Sequence, residues 1–251
     1  MILLIDAGNS RIKSAIWDGK SLSTLHPVST LSDMPPTDWS KLSMPERVAI
    51  SNVAGDKVAS KLNAWVAAAW SLEPTFASVQ TPVAGITTCY DNPTQLGVDR
   101  WLGAIGGYHV VGGAVAVVDA GTAITVDVVD RNGSHLGGTI APGLALMIEG
   151  LTRKTAHLHL ESLKHTDSVA TNTATAISMG CIGALAGGIE RMQNKVRESF
   201  GAEHEWLITG GEAQQVMDLC STEFRHIPDL VLRGLVIATE DVAGHECILP
   251  L

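Results

Sequence analysis

The sequence predicts an α/β chain built on a duplicated strand–turn–strand unit. The first observation behind this is an internal repeat. Residues 2–5 form a β-prone run that ends at Asp6, and residues 115–118 form another that ends at Asp119. The next residues correspond, Asp6-Ala7-Gly8-Asn9-Ser10 against Asp119-Ala120-Gly121-Thr122-Ala123, and a second β-rich stretch follows each, 12–17 and 124–129. Both units then meet turn signals, Asp18-Gly19-Lys20 and Arg131-Asn132-Gly133-Ser134. The second observation is a set of helix-like segments: Asp56–Trp70 with apolar residues at helical spacing, 98–108 opening after Gly97, and Thr173–Phe200 after the polar residues 168–172.

Further elements follow in order. Residues 21–45 are rich in Ser, Thr and Pro and read as a variable loop region. Residues 206–209 read as a strand entering the Gly210-Gly211 turn. The long segment from Thr173 carries Gly180, Gly183, Gly187 and Gly188, which cost helix propensity when exposed. A buried face or a subunit contact would offset that cost.

Composition narrows the functional classes. The chain has 251 residues, 45% hydrophobic and 17% charged, with a formal charge of −9. Disordered chains need lower hydrophobicity and more charge. A net negative chain is a poor general binder of nucleic acid, whose phosphates attract Lys and Arg. The apolar runs are short and broken, so no membrane span is expected, and the N-terminus lacks the basic start of a signal peptide. Cys89, Cys181, Cys220 and Cys247 are scattered, as reduced cytosolic thiols are. Asn132-Gly133-Ser134 reads as a turn. These features lead to the expectation of a cytoplasmic chain.

The two D-x-G turns carry the clearest chemistry. A carboxylate at a strand end can hold a metal ion or its bound water. The glycine lets a phosphate approach the backbone, and the next hydroxyl or amide can hydrogen-bond a phosphate oxygen. Two such turns would grip a polyphosphate from both sides. Gly210-Gly211 could let an adenine ring lie on bare backbone, or simply turn the chain. A third candidate is the segment from Tyr90 to Trp101. Pro93 and Gly97 punctuate a loop there, and Asp99-Arg100 opens a helix. Asp99 is a plausible base and Arg100 a carboxylate anchor. Locally, a helix-starting Asp beside an exposed Arg is the commoner outcome of this pattern. His157, His159 and His165 fit no metal-ligand spacing. P-loop, H-E-x-x-H and G-x-S-x-G motifs are absent.

Together these residues resemble type III pantothenate kinase, of the actin-like and sugar-kinase-like ATPase superfamily. Asp6-Ala7-Gly8-Asn9-Ser10 with Arg11 and Lys13 is similar to its first phosphate motif, and Asp119-Ala120-Gly121-Thr122-Ala123 to its second. Tyr90 to Arg100 resembles Y-x-x-P-x-x-L-G-x-D-R, and Gly137 to Gly143 resembles G-G-x-I-x-P-G. Asn172-Thr173 before Ala176-Ile177 and Gly180 resembles N-T-x-x-A-I-x-x-G, and Thr209-Gly210-Gly211 resembles the adenosine end. Ser10 stands where Thr is usual, and Ala174-Thr175 where acidic residues are common.

The resemblance implies two duplicated actin-like, ribonuclease H-like lobes, 1–113 and 114–251, each a mixed sheet flanked by helices, with a nucleotide cleft between them. It implies transfer of the ATP γ-phosphoryl group to the primary alcohol of pantothenate, the first step of coenzyme A synthesis. Asp99 would be the general base and Arg100 the partner of the pantothenate carboxylate. Asn9, Tyr90, Gly97, Val98, Asp99, Arg100 and Thr173 would line the substrate pocket. ATP would meet Asp6, Ala7, Gly8, Asn9, Ser10, Arg11, Ile12, Lys13, Thr122, Gly210 and Gly211. Asp6 would serve a divalent ion such as Mg²⁺, directly or through water, and Asp119 a monovalent K⁺ or NH₄⁺. A homodimer is implied, with Thr173 near the partner's site. Two alternatives stay open: a kinase of another small alcohol, and a kinase-fold regulator that assists transcription. The presence of Asp6, Asp99 and Asp119 speaks for catalysis over the regulator.

Overall fold

The structure is a computed structural model and describes residues 1–31, 36, 38–153, 169–201 and 203–242. The three clustered histidines and Cys247 lie outside the described residues. In chain order the elements are β1 (Ile2–Ala7), β2 (Arg11–Trp17), β3 (Leu22–Thr24), β4 (Val28–Ser29), β5 (Arg47–Asn52), α1 (Asp56–Trp70), β6 (Thr75–Phe76), β7 (Thr87–Thr88), α2 (Val98–Val111), β8 (Val115–Ala120), β9 (Ala123–Val129), β10 (Ser134–Pro142), α3 (Leu144–Thr152), α4 (Thr173–Phe200), β11 (Glu205–Thr209), α5 (Ala213–Leu219), β12 (Arg225–His226) and α6 (Leu230–Val242). One mixed sheet has the order β3–β2–β1–β5–β6, with β4 on β2, and a second has the order β12–β11–β8–β9–β10–β7. The chain is thus α/β, with two sheets flanked by helices.

By compactness the chain forms two units. One holds Met1–Ala116, Asp127–Gly137 and the residues from Asp229 on, and the other holds Val117–Val126 and Gly138–Pro228. This grouping interleaves the chain, and α6 joins the first unit by packing on α2.

In the first unit β1 pairs antiparallel with β2 and parallel with β5. All six β1 residues are buried, because alternate side chains enter two different cores. Ile2 and Leu4 join Trp101, Ile105, Leu232 and Val236 from α2 and α6. Leu3, Ile5 and Ala7 join Leu62 and Val66 of α1 and Trp39. Trp39 is only 1% exposed, and its indole Nε1–H donates to Ser14 Oγ at 2.9 Å. So the stretch expected to be a variable loop contributes a core anchor. Glycines let α2 and α6 approach closely. A methyl on Gly234 would overlap the Leu102 carbonyl, and one on Gly106 the Leu230 carbonyl. Arg47 on β5 pairs with Glu240, so a second element also holds α6.

In the second unit α3 and α5 both contact α4. Asn172 caps α4, its side chain accepting from Thr175 N–H at 3.0 Å. Buried Ser178, Cys181, Ile182, Leu185 and Ile189 form one stripe along the helix. Gly180, Gly183, Gly187 and Gly188 lie on its exposed side, where an added methyl would meet nothing within 4 Å. No other described helix is long and apolar enough by composition to cross a bilayer. Its one-sided burial stripe instead marks a helix packed against the rest of its unit.

Candidate active site

The first D-x-G turn joins β1 to β2. Asp6 sits opposite Lys13 in the strand register and is 8% exposed. Gly8 N–H donates to the Arg11 carbonyl at 3.0 Å and so closes the turn. Thr30 braces it from outside, Oγ1 donating to the Gly8 carbonyl at 2.7 Å. Asn9, Ser10 and Arg11 are exposed, while Ala7 and Ile12 bury their side chains in the α1-side core. Ala7 and Ile12 can therefore offer a ligand only their backbone.

The second turn is tighter by one residue, since Gly121 N–H donates to the Ala123 carbonyl at 3.0 Å. Two distant glycines close on it. Gly143, the end of the G-G-x-I-x-P-G segment, donates its N–H to the Thr122 carbonyl at 2.9 Å, and a methyl there would overlap the Gly121 carbonyl. Gly210, with φ +99°, leaves room for only a hydrogen beside the Ala120 carbonyl, and a methyl would lie 2.5 Å from Asp119 Oδ1. Glu212 N–H adds a bond to the Ala120 carbonyl at 2.9 Å. Asp119, Thr122, Gly143 and Gly210 are thus brought together within the second unit. Thr173 lies on the exposed first turn of α4.

The substrate segment builds the start of α2. Asn92 accepts from Thr94 N–H at 3.1 Å in a turn that leads to Gly97, the N-cap of α2. Asp99 lies in the first helical turn, and its Oδ1 accepts from Arg100 N–H at 2.8 Å. Burial pushes the Asp99 pKa up. The Arg100 N–H and guanidinium oppose this, and the neighbouring Asp127 charge reinforces it. A carboxylate held above its usual range is a stronger base.

Arg100 is 9% exposed, unlike the exposed arginine that the local pattern favours. Its Nε donates to Asp127 Oδ2 at 2.9 Å and its Nη2 to Asp127 Oδ1 at 2.7 Å. Nη1 donates to Tyr90 Oη at 3.1 Å. Burial works against the guanidinium charge, but the hydrogen bonds and charge of Asp127 outweigh it, so its pKa is raised. Sequence reasoning missed Asp127 and its second partner, His135. The one available signal was a lone Asp within the apolar run of β9.

The family profile of type III pantothenate kinase matches residues 2–195. The chain belongs to the type III pantothenate kinase family. A type III pantothenate kinase from Nitrosococcus oceani is 36% identical over 254 residues, covering 97% of this chain and 95% of that protein. The actin-like fold is shared more widely. A proposed Baf family transcriptional activator from Campylobacter jejuni superposes with a TM-score of 0.60 at 22% identity, covering 96% of this chain and 99% of that one. The activator of the 2-hydroxyisocaproyl-CoA dehydratase from Clostridium difficile, with bound ADPNP, superposes with a TM-score of 0.54 at 13% identity, covering 97% and 94%. At these identities the two structures bear on the fold alone.

Proposed function

We propose that this pantothenate kinase family member transfers the γ-phosphoryl group of ATP to the primary alcohol of pantothenate, opening coenzyme A synthesis. The observation that carries the reading is Asp99 beside Arg100 on the first turn of α2, within a chain of this family. Asp99 accepts the hydroxyl proton, the hydroxyl oxygen forms the bond to the γ-phosphorus, and the β,γ-bridging bond breaks to leave ADP. Arg100 and Tyr90 receive the substrate carboxylate. Asn9, Gly97, Val98 and Thr173 complete the pocket. The turn from Asp6 to Lys13 (Ala7, Gly8, Asn9, Ser10, Arg11 and Ile12 between them) and Thr122 hold the phosphates. Gly210 and Gly211 face the adenosine.

The donors around the turns suit hard cations. Asp119 Oδ1 and the carbonyls of Ala120, Gly121 and Thr122 are all oxygens, set among glycines that leave little bulk. Among the described residues no cluster of three or more His, Cys, Asp or Glu forms a metal site by itself. Mg²⁺ bound through one carboxylate and substrate phosphates needs none. Asp6 is assigned to that divalent ion and Asp119 to K⁺ or NH₄⁺. When bound, these cations supply positive charge against the phosphates.

The same reading includes lobes at 1–113 and 114–251, a cytoplasmic homodimer, and neither membrane nor nucleic acid as partner. An open apolar groove of about 540 Å³ supports the dimer. Met147, Leu151, Ala176, Ile177, Gly180 and Ala184 line it. Its proposed occupant is a second copy of the chain.

The deciding experiment is ATP turnover with pantothenate and Mg²⁺ in K⁺ or in Na⁺. Turnover that needs pantothenate and collapses in Na⁺ supports the reaction and the Asp119 assignment. No pantothenate-dependent turnover by folded protein overturns the reaction.

A further inference from the structure

The hydrogen bonds around Arg100 form a closed circuit whose donor directions can be worked out. Asp127 is 2% exposed and His135 is 0% exposed, so neither can touch a substrate. Asp127, as a carboxylate, only accepts. His135 Nε2, 2.9 Å from Asp127 Oδ1, must therefore be the protonated nitrogen. On the other side of the ring, Nδ1 lies 3.1 Å from Thr88 Oγ1, in hydrogen-bond contact. Thr88 Oγ1 in turn accepts from Tyr90 N–H at 3.2 Å. Asp127 takes both bonds of the Arg100 fork, and Arg100 Nη1 donates to Tyr90 Oη. The circuit thus begins at the Tyr90 backbone and returns to the Tyr90 side chain.

The sheet and the aromatic rings fix the geometry. His135 and Thr88 are register partners in the parallel β10–β7 pair. Tyr90 stacks on the His135 ring at 5.8 Å, and Trp101 meets it edge-on at 6.0 Å. Because Tyr90 Oη accepts from Arg100, its own proton is left to donate to an outside acceptor. Arg100 likewise keeps one unused N–H on each of Nη1 and Nη2.

We infer that Asp127, His135 and Thr88 are positioning residues that hold Arg100 and Tyr90 as a preset donor pair for the carboxylate end of the substrate. The inference rests on the proposed kinase reading. It adds an outer layer that never meets the ligand and determines which end of the substrate is selected.

The test compares two substrates, pantothenate and its analogue with CH₂OH in place of the carboxylate, in wild type, Asp127→Asn, His135→Leu and His135→Gln. The wild type should favour pantothenate in kcat/KM. Asp127→Asn and His135→Leu should raise the KM for pantothenate by about 10–100-fold, the range by which metal sites weaken when a ligand loses its outer-layer partner. They should leave the KM for ATP alone and erase the preference over the alcohol. His135→Gln keeps an N–H directed at Asp127 and should recover most of the preference. Melting curves should show every variant folded. A purely structural role would lower the active fraction with the ratio intact, and an unchanged ratio in Asp127→Asn and His135→Leu overturns the inference alone. No pantothenate turnover by the wild type overturns it together with the kinase reading.

Discussion

Arg100 and Asp127 meet through two parallel hydrogen bonds, Nε to Oδ2 at 2.9 Å and Nη2 to Oδ1 at 2.7 Å, with both side chains buried. Such a pair is costly to break from one side, because the remaining charge stays buried. Arg100→Ala should lose about 3–5 kcal/mol of unfolding free energy, the cost expected for an orphaned buried partner. Arg100→Lys keeps the charge but cannot form the fork. It should stay folded, with a KM for pantothenate raised by roughly tenfold or more. Chemical denaturation and steady-state kinetics read the two effects. Equal stability of wild type and Arg100→Ala would mean that the pair contributes nothing.

Asp99 should trade stability for activity. Its pKa is raised chiefly by burial. A carboxyl whose folded pKa exceeds its unfolded value stabilises the fold while protonated, and that contribution is lost as pH rises through the folded pKa. At neutral pH the ionised Asp99 therefore costs stability. Asp99→Asn should lower kcat by roughly 10²–10⁴. It should also raise the melting temperature at pH 7 by about 1–3 °C, and the gain should shrink as the wild type is protonated in acid. The acid limb of wild-type kcat should lie above the ordinary Asp range, near pH 4. A melting temperature that falls in Asp99→Asn at pH 7 would contradict the burial argument.

Gly210 should be specific to the nucleotide. Its φ of +99° and its closeness to the Ala120 carbonyl exclude a side chain. Gly210→Ala should displace the Asp119–Thr122 turn and raise the KM for ATP more than the KM for pantothenate. Isothermal titration with a non-hydrolysable ATP analogue gives an independent reading. Equal loss for both substrates would point to general misfolding.

The open face of α4 gives a test of assembly. Ala184 is exposed beside the apolar groove. Ala184→Arg should leave the melting curve of the dilute protein unchanged while light scattering shows half the mass of the wild type. A wild type that is already monomeric would dispose of the dimer.

How much of this was legible follows from which interactions are local. The two strand–turn–strand units were readable because apolar runs and D-x-G turns lie side by side in sequence. The helix at Asp56–Trp70 was readable from apolar spacing and that at Thr173–Phe200 from the polar residues that start it, and both carry the expected bounds. Strand β1 runs past residue 5 because Asp6 and Ala7 still pair with Lys13 and Ile12. Helix α2 runs past residue 108 to Val111, where Gly112 adopts a left-handed C-cap. Trp39 was illegible as core because no periodic pattern surrounds it. The burial of Arg100 was illegible because its counter-charge lies 27 positions later on a strand. The glycines of α4 allowed a buried face or a subunit contact, and within the chain they are exposed.

The close seat of α6 on α2 has a consequence for synthesis. Chains emerging from a ribosome usually fold from their N-terminus. Here the first unit lacks a wall of its core until Leu230–Val242 has been translated, since Leu232, Leu235 and Val236 fill the cluster that also holds Ile2 and Leu4. The second unit has all its described strands and helices by Pro228. The nascent protein therefore carries its first-unit strands with an exposed apolar face until α6 has emerged, after the second unit's elements are already made.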